Sequence, residues 1–291
     1  MTAATRPRFG LATAPQQVSY TDILRVWRDA DAVPEIEHAW LFDHLMPIGG
    51  DPEGPIFEGW TLLSALAAQT RRLRLGLLVT SNRFRPPAML AKIAATVDIV
   101  SGGRLEFGIG AGSRPSHPIA RREYDGNGLP YYDAAHATGA LAEALVVVRR
   151  LWTAEQPFDY DGRFVQLSGA FSRPKPVQQP HPPIVIGGRS TATLRLAAEH
   201  ADVWNYPGDD IDDAVRRGVI VDRFCEEIGR DPATLTRSLV IPVRYDEASA
   251  TRDAIKGAIG AGFPHIVLSL PSPYPDGVVG WLTDECLRAE F

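Results

Sequence analysis

At 291 residues, 45% hydrophobic and 22% charged, the chain is long enough to bury a large core and has the composition of an ordinary soluble globular protein, not a disordered one. Its formal charge of −5 argues against nucleic-acid or anionic-membrane partners, which favour a basic face, but leaves room for an anionic cofactor held by a few local N–H groups. Cys225 and Cys286 stand far apart in no metal-ligand spacing, the first eight residues lack the apolar core of a signal peptide, and no apolar stretch approaches a membrane span, so a reduced, cytoplasmic protein is expected.

In chain order, short β-like runs alternate with longer helical patterns. A first strand is predicted over residues 9–14 and a helix over 20–32, with Ser19 or Thr21 as N-cap. A second strand over 39–43 runs into Asp43-His44, and a Pro/Gly-rich loop over 47–55 follows. The segment 58–70 places Trp60, Leu63 and Ala67 on one helical face. The nearly continuous apolar run 73–80 suits a third strand buried on both sides, as in a parallel sheet. Pro86 and Pro87 open a helix whose buried stripe is Leu90, Ile93, Val97 and Val100, and Ser101-Gly102-Gly103 stops it. A fourth strand is predicted over 104–110, then a long polar loop over 113–132.

A strong helix follows, with Leu141, Leu145, Val148 and Trp152 at helical spacing. Residues 158–167 alternate around Asp161-Gly162, which predicts a hairpin outside the main sheet. A connector with Pro174, Pro176, Pro180, Pro182 and Pro183 leads to a fifth strand over 184–187 and a helix over 190–200. The remaining pattern is a sixth strand over 202–205, a helix within 210–228, a seventh strand over 238–245, a helix over 248–261, an eighth strand over 265–270, and a last helix within 277–289.

Eight strands separated mostly by helices predict a parallel α/β fold. The count favours a closed (β/α)8 TIM barrel with loop and hairpin insertions over an open doubly wound sheet, with residues 1–291 forming one domain. No internal repeat occurs at a fixed period. The Pro-rich connector reads as a wrapped loop, because one barrel needs strands from both sides of it.

In such a barrel, function is read at the C-terminal strand ends. These are Ala14, Asp43-His44, Val79-Thr80, Gly110 to Gly112, Gly187 to Arg189, Trp204-Asn205, Tyr245 and Leu270. An imidazole at His44 exchanges a proton near neutral pH, and the adjacent Asp43 can tune it or bind a cofactor. The plainer alternative is that Asp43 caps the next turn and His44 packs; a place at the barrel mouth favours the first. Gly108, Gly110 and Gly112 do not have dinucleotide-binding spacing, and no helix starts promptly after them. They suit a backbone that approaches a flat ligand closely or takes a strained turn.

Gly187-Gly188-Arg189-Ser190 sits between a strand and a helix, where free N–H groups and the helix dipole favour a phosphate and Arg189 adds charge. A simple βα turn with Ser190 as N-cap fits equally well, and the commonest barrel phosphate site follows strands seven and eight instead. The loop 113–132 is long enough to be functional and carries Arg114, His117, Arg121, Arg122, Glu123, Tyr124, Tyr131 and Tyr132; it reads as a lid. The seven histidines show no metal-binding spacing, and neither a Gly-x-Ser-x-Gly elbow nor a P-loop is present, so no metal is expected.

Taken together these segments resemble the luciferase-like monooxygenase superfamily over nearly the whole chain. The telling stretches are LRLGLLVTSNRFRPPAMLAKIAATVDIVSGGRLEFGIGAG over 73–112 and PPIVIGGRSTATLRLAAEHADVWN over 182–205, with FDH at the end of strand two and PKPVQQPHPP in the connector. The resemblance implies a barrel with a flavin-type ring over its mouth, either the deazaflavin coenzyme F420 or FMN. It implies His44 as the catalytic group near the reacting ring beside Asp43. A non-prolyl cis peptide is implied near Leu78-Val79, so Leu78, Val79 and Thr80 join Gly110, Gly112, Gly187, Gly188, Arg189 and Ser190 as cofactor-binding candidates. A small-molecule substrate and a homodimer are implied, with a separate flavin reductase if FMN is used. Two departures matter. Deazaflavin sugar-phosphate and secondary-alcohol dehydrogenases carry a tryptophan where this chain has Ile48 and a glutamate where it has Ser113, which argues against those two substrate classes.

Overall fold

The computed structural model describes residues 6–113, 116–130 and 132–288. In chain order the first elements are β1 (Arg8–Thr13), α1 (Tyr20–Asp31), β2 (Ile36–Leu41), α2 (Gly59–Gln69), β3 (Arg74–Leu77), β4 (Thr80–Ser81), α3 (Pro87–Ser101), β5 (Leu105–Gly110), α4 (Pro118–Gly126) and α5 (Ala134–Thr153). They are followed by β6 (Phe158–Asp161), β7 (Gln166–Ala170), β8 (Ile184–Gly187), α6 (Thr191–His200), β9 (Val203–Tyr206), α7 (Ile211–Glu227), β10 (Thr236–Pro242), α8 (Ala248–Gly260), β11 (His265–Leu270) and α9 (Val278–Leu282).

The main sheet runs β3-β2-β1-β11-β10-β9-β8-β5-β4, all parallel, and a further β3–β5 pairing closes it into a ring. With β4 continuing β3, the ring is an eight-stranded (β/α)8 barrel. Its strands are buried on both faces; every residue of β5 is buried. That is why they read as apolar runs and not as alternating ones. The hairpin β6–β7 pairs antiparallel in a separate two-stranded sheet.

The helices obey their sequence signals where packing agrees with them. Ser19 caps α1, accepting from the Asp22 amide, and Leu141, Leu145, Val148 and Trp152 of α5 are all buried. In α3 the expected stripe holds at Leu90 and Val97, which are buried, but not at its other two positions. Val100 is 47% exposed and Ile93 only partly covered, whereas Ala91, Ala94 and Ala95 are buried. Small residues face inward because α3 is pressed between neighbours, and buried Asp98 anchors the connector by accepting from the Val177 and Gln178 amides (2.8 and 3.1 Å). The Pro-rich stretch is thus tied back onto the barrel.

Four further boundaries depart from expectation. The run 73–80 is not one strand: regular pairing stops at Leu77, the Leu78–Val79 peptide is cis, and β4 resumes against Ile109 and Gly110. The polar loop 113–132 contains a helix, α4, opened by Pro118 in its first turn; its candidates Arg114 and Tyr131 lie outside the described residues. The seventh barrel strand ends at Pro242, so Tyr245 lies beyond it. The last helix is short and passes into a π-helical turn, Thr283–Leu287; Ala289 is outside the described residues. No helix among the described residues is long and apolar enough to cross a membrane.

The barrel floor, at the N-terminal strand ends, holds a buried polar cluster. Arg8 and Arg74 donate to Glu106 Oε1, the His38 and His265 rings stack at 4.0 Å, Trp40 Nε1 donates to His38 Nδ1 (2.7 Å), and Ser238 Oγ meets His265 Nδ1 (2.9 Å). A small apolar group, Trp40, Val185, Val203 and Val267, packs in the same interior.

Candidate active site at the barrel mouth

At the C-terminal end lies a cavity of about 1220 Å³. It is lined from the ends of β2, β4, β5, β8 and β9 and from the segment that carries α4 and the start of α5. The structure brings together here Asp43, His44, Leu78, Val79, Thr80, Gly110, Gly112, Gly187, Gly188, Arg189 and Ser190, and Ile48 and Ser113 line it as well. The other strand ends, Ala14, Tyr245 and Leu270, are not part of its wall. On that side buried Tyr274 donates to the Ala14 carbonyl (3.1 Å), and Tyr245 donates to the Pro271 carbonyl (2.8 Å). The cavity is therefore built on the ends of five of the eight barrel strands.

Asp43 and His44, though adjacent in sequence, enter separate networks. The Asp43 carboxylate is fully buried and clasped by Arg85, whose Nη1 and Nη2 lie 2.6 and 3.1 Å from its two oxygens. Thr80 also donates its hydroxyl to Asp43, and Trp60 Nε1 donates to Thr80 Oγ1 (3.2 Å). Arg85 pairs in addition with Glu58, which caps α2 through the Trp60 and Thr61 amides. Burial alone would lower the Arg85 pKa, but hydrogen bonding and charge from Asp43, helped by Glu58, outweigh it and raise it. Glu58 is likewise disfavoured by burial, yet the Thr61 hydrogen bonds and Arg85 hold its carboxyl below the usual range.

His44 meets a different acid. Its Nδ1 lies 3.1 Å from both oxygens of Glu123, on α4 and 79 residues away, and the Leu45 amide donates to Glu123 Oε1 (2.5 Å). The Glu123 side chain is completely buried, while His44 keeps 23% exposure. Phe42 and Phe84 approach the imidazole at steep interplanar angles, with centroids at 5.6 and 6.5 Å. With Nδ1 hydrogen-bonded to a carboxylate, Nε2 is left as the nitrogen with a lone pair for a ligand.

The glycines play another part than cradling a flat ligand directly. A Cβ on Gly110 would come within 2.9 Å of a Val79 methyl, and one on Gly187 within 3.0 Å of the other. Their lack of a side chain lets the cis Leu78–Val79 segment seat against β5 and β8, and that segment then forms an apolar wall. Gly188 has φ +152°, a conformation L side chains rarely adopt, and its own N–H is spent on the Asn205 carbonyl (3.2 Å). At this junction the Arg189 and Ser190 amides and the first amides of α6 are the donors placed for an anion. Ser190 caps α6 through the Thr193 amide (3.2 Å). Arg83, also on the cavity wall, has a buried Nη1 with no hydrogen-bond partner among the described residues.

Sequence reasoning did not single out Arg85 or Glu58, and it named Glu123 only among the lid residues without a role. No local pattern marks any of the three; each acquires meaning from a partner tens of residues away.

The model of the family described as luciferase-like monooxygenase matches residues 3–275. An uncharacterized protein of Mycobacterium tuberculosis (strain H37Rv) is 31% identical over 223 residues, 77% of this chain and 71% of that protein. Among solved structures, an F420-dependent secondary alcohol dehydrogenase in complex with an F420-acetone adduct is similar at TM-score 0.83 and 19% identity, covering 96% of this chain and 98% of that one. A type II Baeyer–Villiger monooxygenase from Pseudomonas putida, in complex with FMN, is similar at TM-score 0.65 and 20% identity, covering 88% and 73%. At these identities the structural likeness is one of fold. The family match extends over nearly the whole chain, and the chain belongs to the luciferase-like monooxygenase family, a family of oxidoreductase enzymes.

Proposed function

We propose that this protein uses coenzyme F420 to transfer a hydride to or from a small organic substrate in the mouth cavity, with His44 as the proton-transfer group. The observation that carries the reading is the imidazole of His44, fixed through Nδ1 by buried Glu123 and bordering a cavity walled by Leu78, Val79 and Gly110. An Asp-His pair at the end of the second barrel strand is the feature that the deazaflavin resemblance turns on. The similar dehydrogenase structure that holds an F420 adduct supports the same choice.

The residues fit such a group. The volume accommodates a tricyclic ring, the Leu78–Val79 wall is apolar, and Arg83 brings a guanidinium to the cavity wall. The Arg189 and Ser190 amides at the head of α6 would hold a phosphate, with the Arg189 side chain adding charge. When bound, the deazaflavin would supply the hydride chemistry. The protein's own work is to hold substrate against the ring, to exclude water, and to move a proton at His44 Nε2. Asp43, neutralised by Arg85, acts as a structural strut beneath that group.

The competing reading is an FMN-dependent monooxygenase served by a separate reductase, and the similar FMN-bound monooxygenase favours it. Titration of the purified protein with F420 and, separately, with FMN, followed by fluorescence, discriminates the two. Saturable F420 binding, tighter than FMN binding, is expected. Tight FMN binding with negligible F420 binding overturns the proposal.

A further inference from the structure

We infer that Glu123 is the positioning residue for His44: it imposes the Nδ1–H tautomer and supplies the negative charge that a protonated His44 needs. The inference rests on the reading of His44 as the proton-transfer group and adds a second residue, from the lid helix α4, to that reaction.

Two carboxylates lie behind the mouth, and they are compensated differently. Asp43 has a permanent cation against it, the Arg85 guanidinium, with both nitrogens engaged. Glu123 is equally buried, yet among the described residues its one ion-pair partner is His44. The other hydrogen bond its carboxylate accepts among the described residues comes from a neutral donor, the Leu45 amide. A buried ionised carboxylate without a cation is costly, and hydrogen bonds from neutral groups offset only part of that cost. The cation that completes this site is an imidazolium formed when Nε2 takes a proton. A carboxylate held against one ring nitrogen both orients the imidazole and stabilises its charged form, the role of the acidic member in catalytic His–acid pairs.

The geometry is specific enough to test. Both Glu123 oxygens lie 3.1 Å from Nδ1, so the ring is held on one edge by one side chain. The amide of the residue after His44 binds the same carboxylate, which fixes backbone and side chain together. Free histidine side chains favour the opposite, Nε2–H, tautomer, so the prediction runs against the default.

The test uses 15N NMR of imidazole-labelled protein without cofactor, at a pH where His44 is neutral, with assignment by comparison with a His44→Gln sample. A proton on Nδ1 and a lone pair on Nε2 are expected, with the opposite tautomer dominant in Glu123→Leu. An Nε2–H tautomer in the unmodified protein overturns the inference, whatever cofactor the enzyme uses. Kinetics supply the second readout. Glu123→Gln keeps shape and a hydrogen-bond acceptor but removes the charge, so kcat should fall on the order of 10²-fold with KM within a factor of about 2. Glu123→Asp should recover part of the loss. An unchanged kcat in Glu123→Gln, or an effect confined to KM, overturns the role. Because the NMR result needs no cofactor, failure of the F420 assignment and failure of the Glu123 assignment are distinguishable.

Discussion

The floor and the mouth of this barrel are built from the same side-chain types and put them to opposite uses. On the floor, Glu106 is locked by Arg8 and Arg74, and the stacked His38 and His265 are both completely buried. At the mouth, Asp43 is locked in the same manner by Arg85, but His44 keeps partial exposure to a large cavity and pairs with a carboxylate that has no permanent cation among the described residues. The two regions are even linked, since Asn205 on the cavity wall donates to Ser238, which meets His265. What separates them is access. A histidine sealed among charges serves the fold, whereas one held on a single edge with the other edge toward a cavity can exchange a proton with a ligand.

The sharpest way to break this contrast is at His44. His44→Ala should cut turnover about 10²- to 10⁴-fold, the range for a lost general acid or base, and should lower stability by about 1–3 kcal/mol because it leaves the buried Glu123 carboxylate without its ring partner. Turnover of the native substrate and urea denaturation check the two halves. Full activity in the variant removes the distinction between mouth and floor.

A second effect centres on the floor. Burial, and secondarily the neighbouring His265, push the His38 pKa well below the ordinary imidazole value, so folded His38 stays neutral where the unfolded chain binds a proton. Burial works to raise the Glu106 pKa, but the adjacent His265 and the paired Arg74 guanidinium outweigh it and hold it well below the usual carboxylate range. In both cases the unfolded state takes up protons first as pH falls. Stability should therefore be full above about pH 6.5, decline below it as unfolded His38 protonates, and decline again below about pH 4.5 as unfolded Glu106 does. Each group contributes a slope of at most about 1.4 kcal/mol per pH unit. Denaturation between pH 7.5 and 5 checks this, with His38→Gln expected to flatten the upper part of the curve. A flat curve in the native protein contradicts it.

The smallest expected effect lies at the phosphate junction. Ser190→Ala removes the α6 cap and should cost about 1 kcal/mol of stability. It should also weaken cofactor binding several-fold, which binding titration checks. A loss of stability with unchanged affinity would place the phosphate away from α6.

Much of the fold was legible because its strands are buried on both faces and its helices carry regular stripes and caps. Ser19, Ser190, Gly102 and the α5 stripe are local features with local consequences. The α3 stripe was half right: Leu90 and Val97 are core, but Val100 looks like core by type and is exposed, while Ala91, Ala94 and Ala95 fill the inward face. The candidate site was legible as a set of strand ends, since parallel topology places those ends together wherever they occur in the chain. Which strand ends carry the cavity was not legible, because that depends on how the segments beyond the strands pack, as where Tyr274 bonds back to the Ala14 carbonyl.

By itself the sequence determined the alternation of buried strands with amphipathic helices, and hence a parallel barrel with Asp43-His44 at its mouth. Only the tertiary structure decided that these two neighbours face different partners, Arg85 for one and Glu123 for the other. The physical reason is range. Hydrophobic periodicity and caps act within a few residues of chain, whereas the charge that compensates a buried side chain comes from whichever element packs against it, here 42 residues away for Asp43 and 79 for His44.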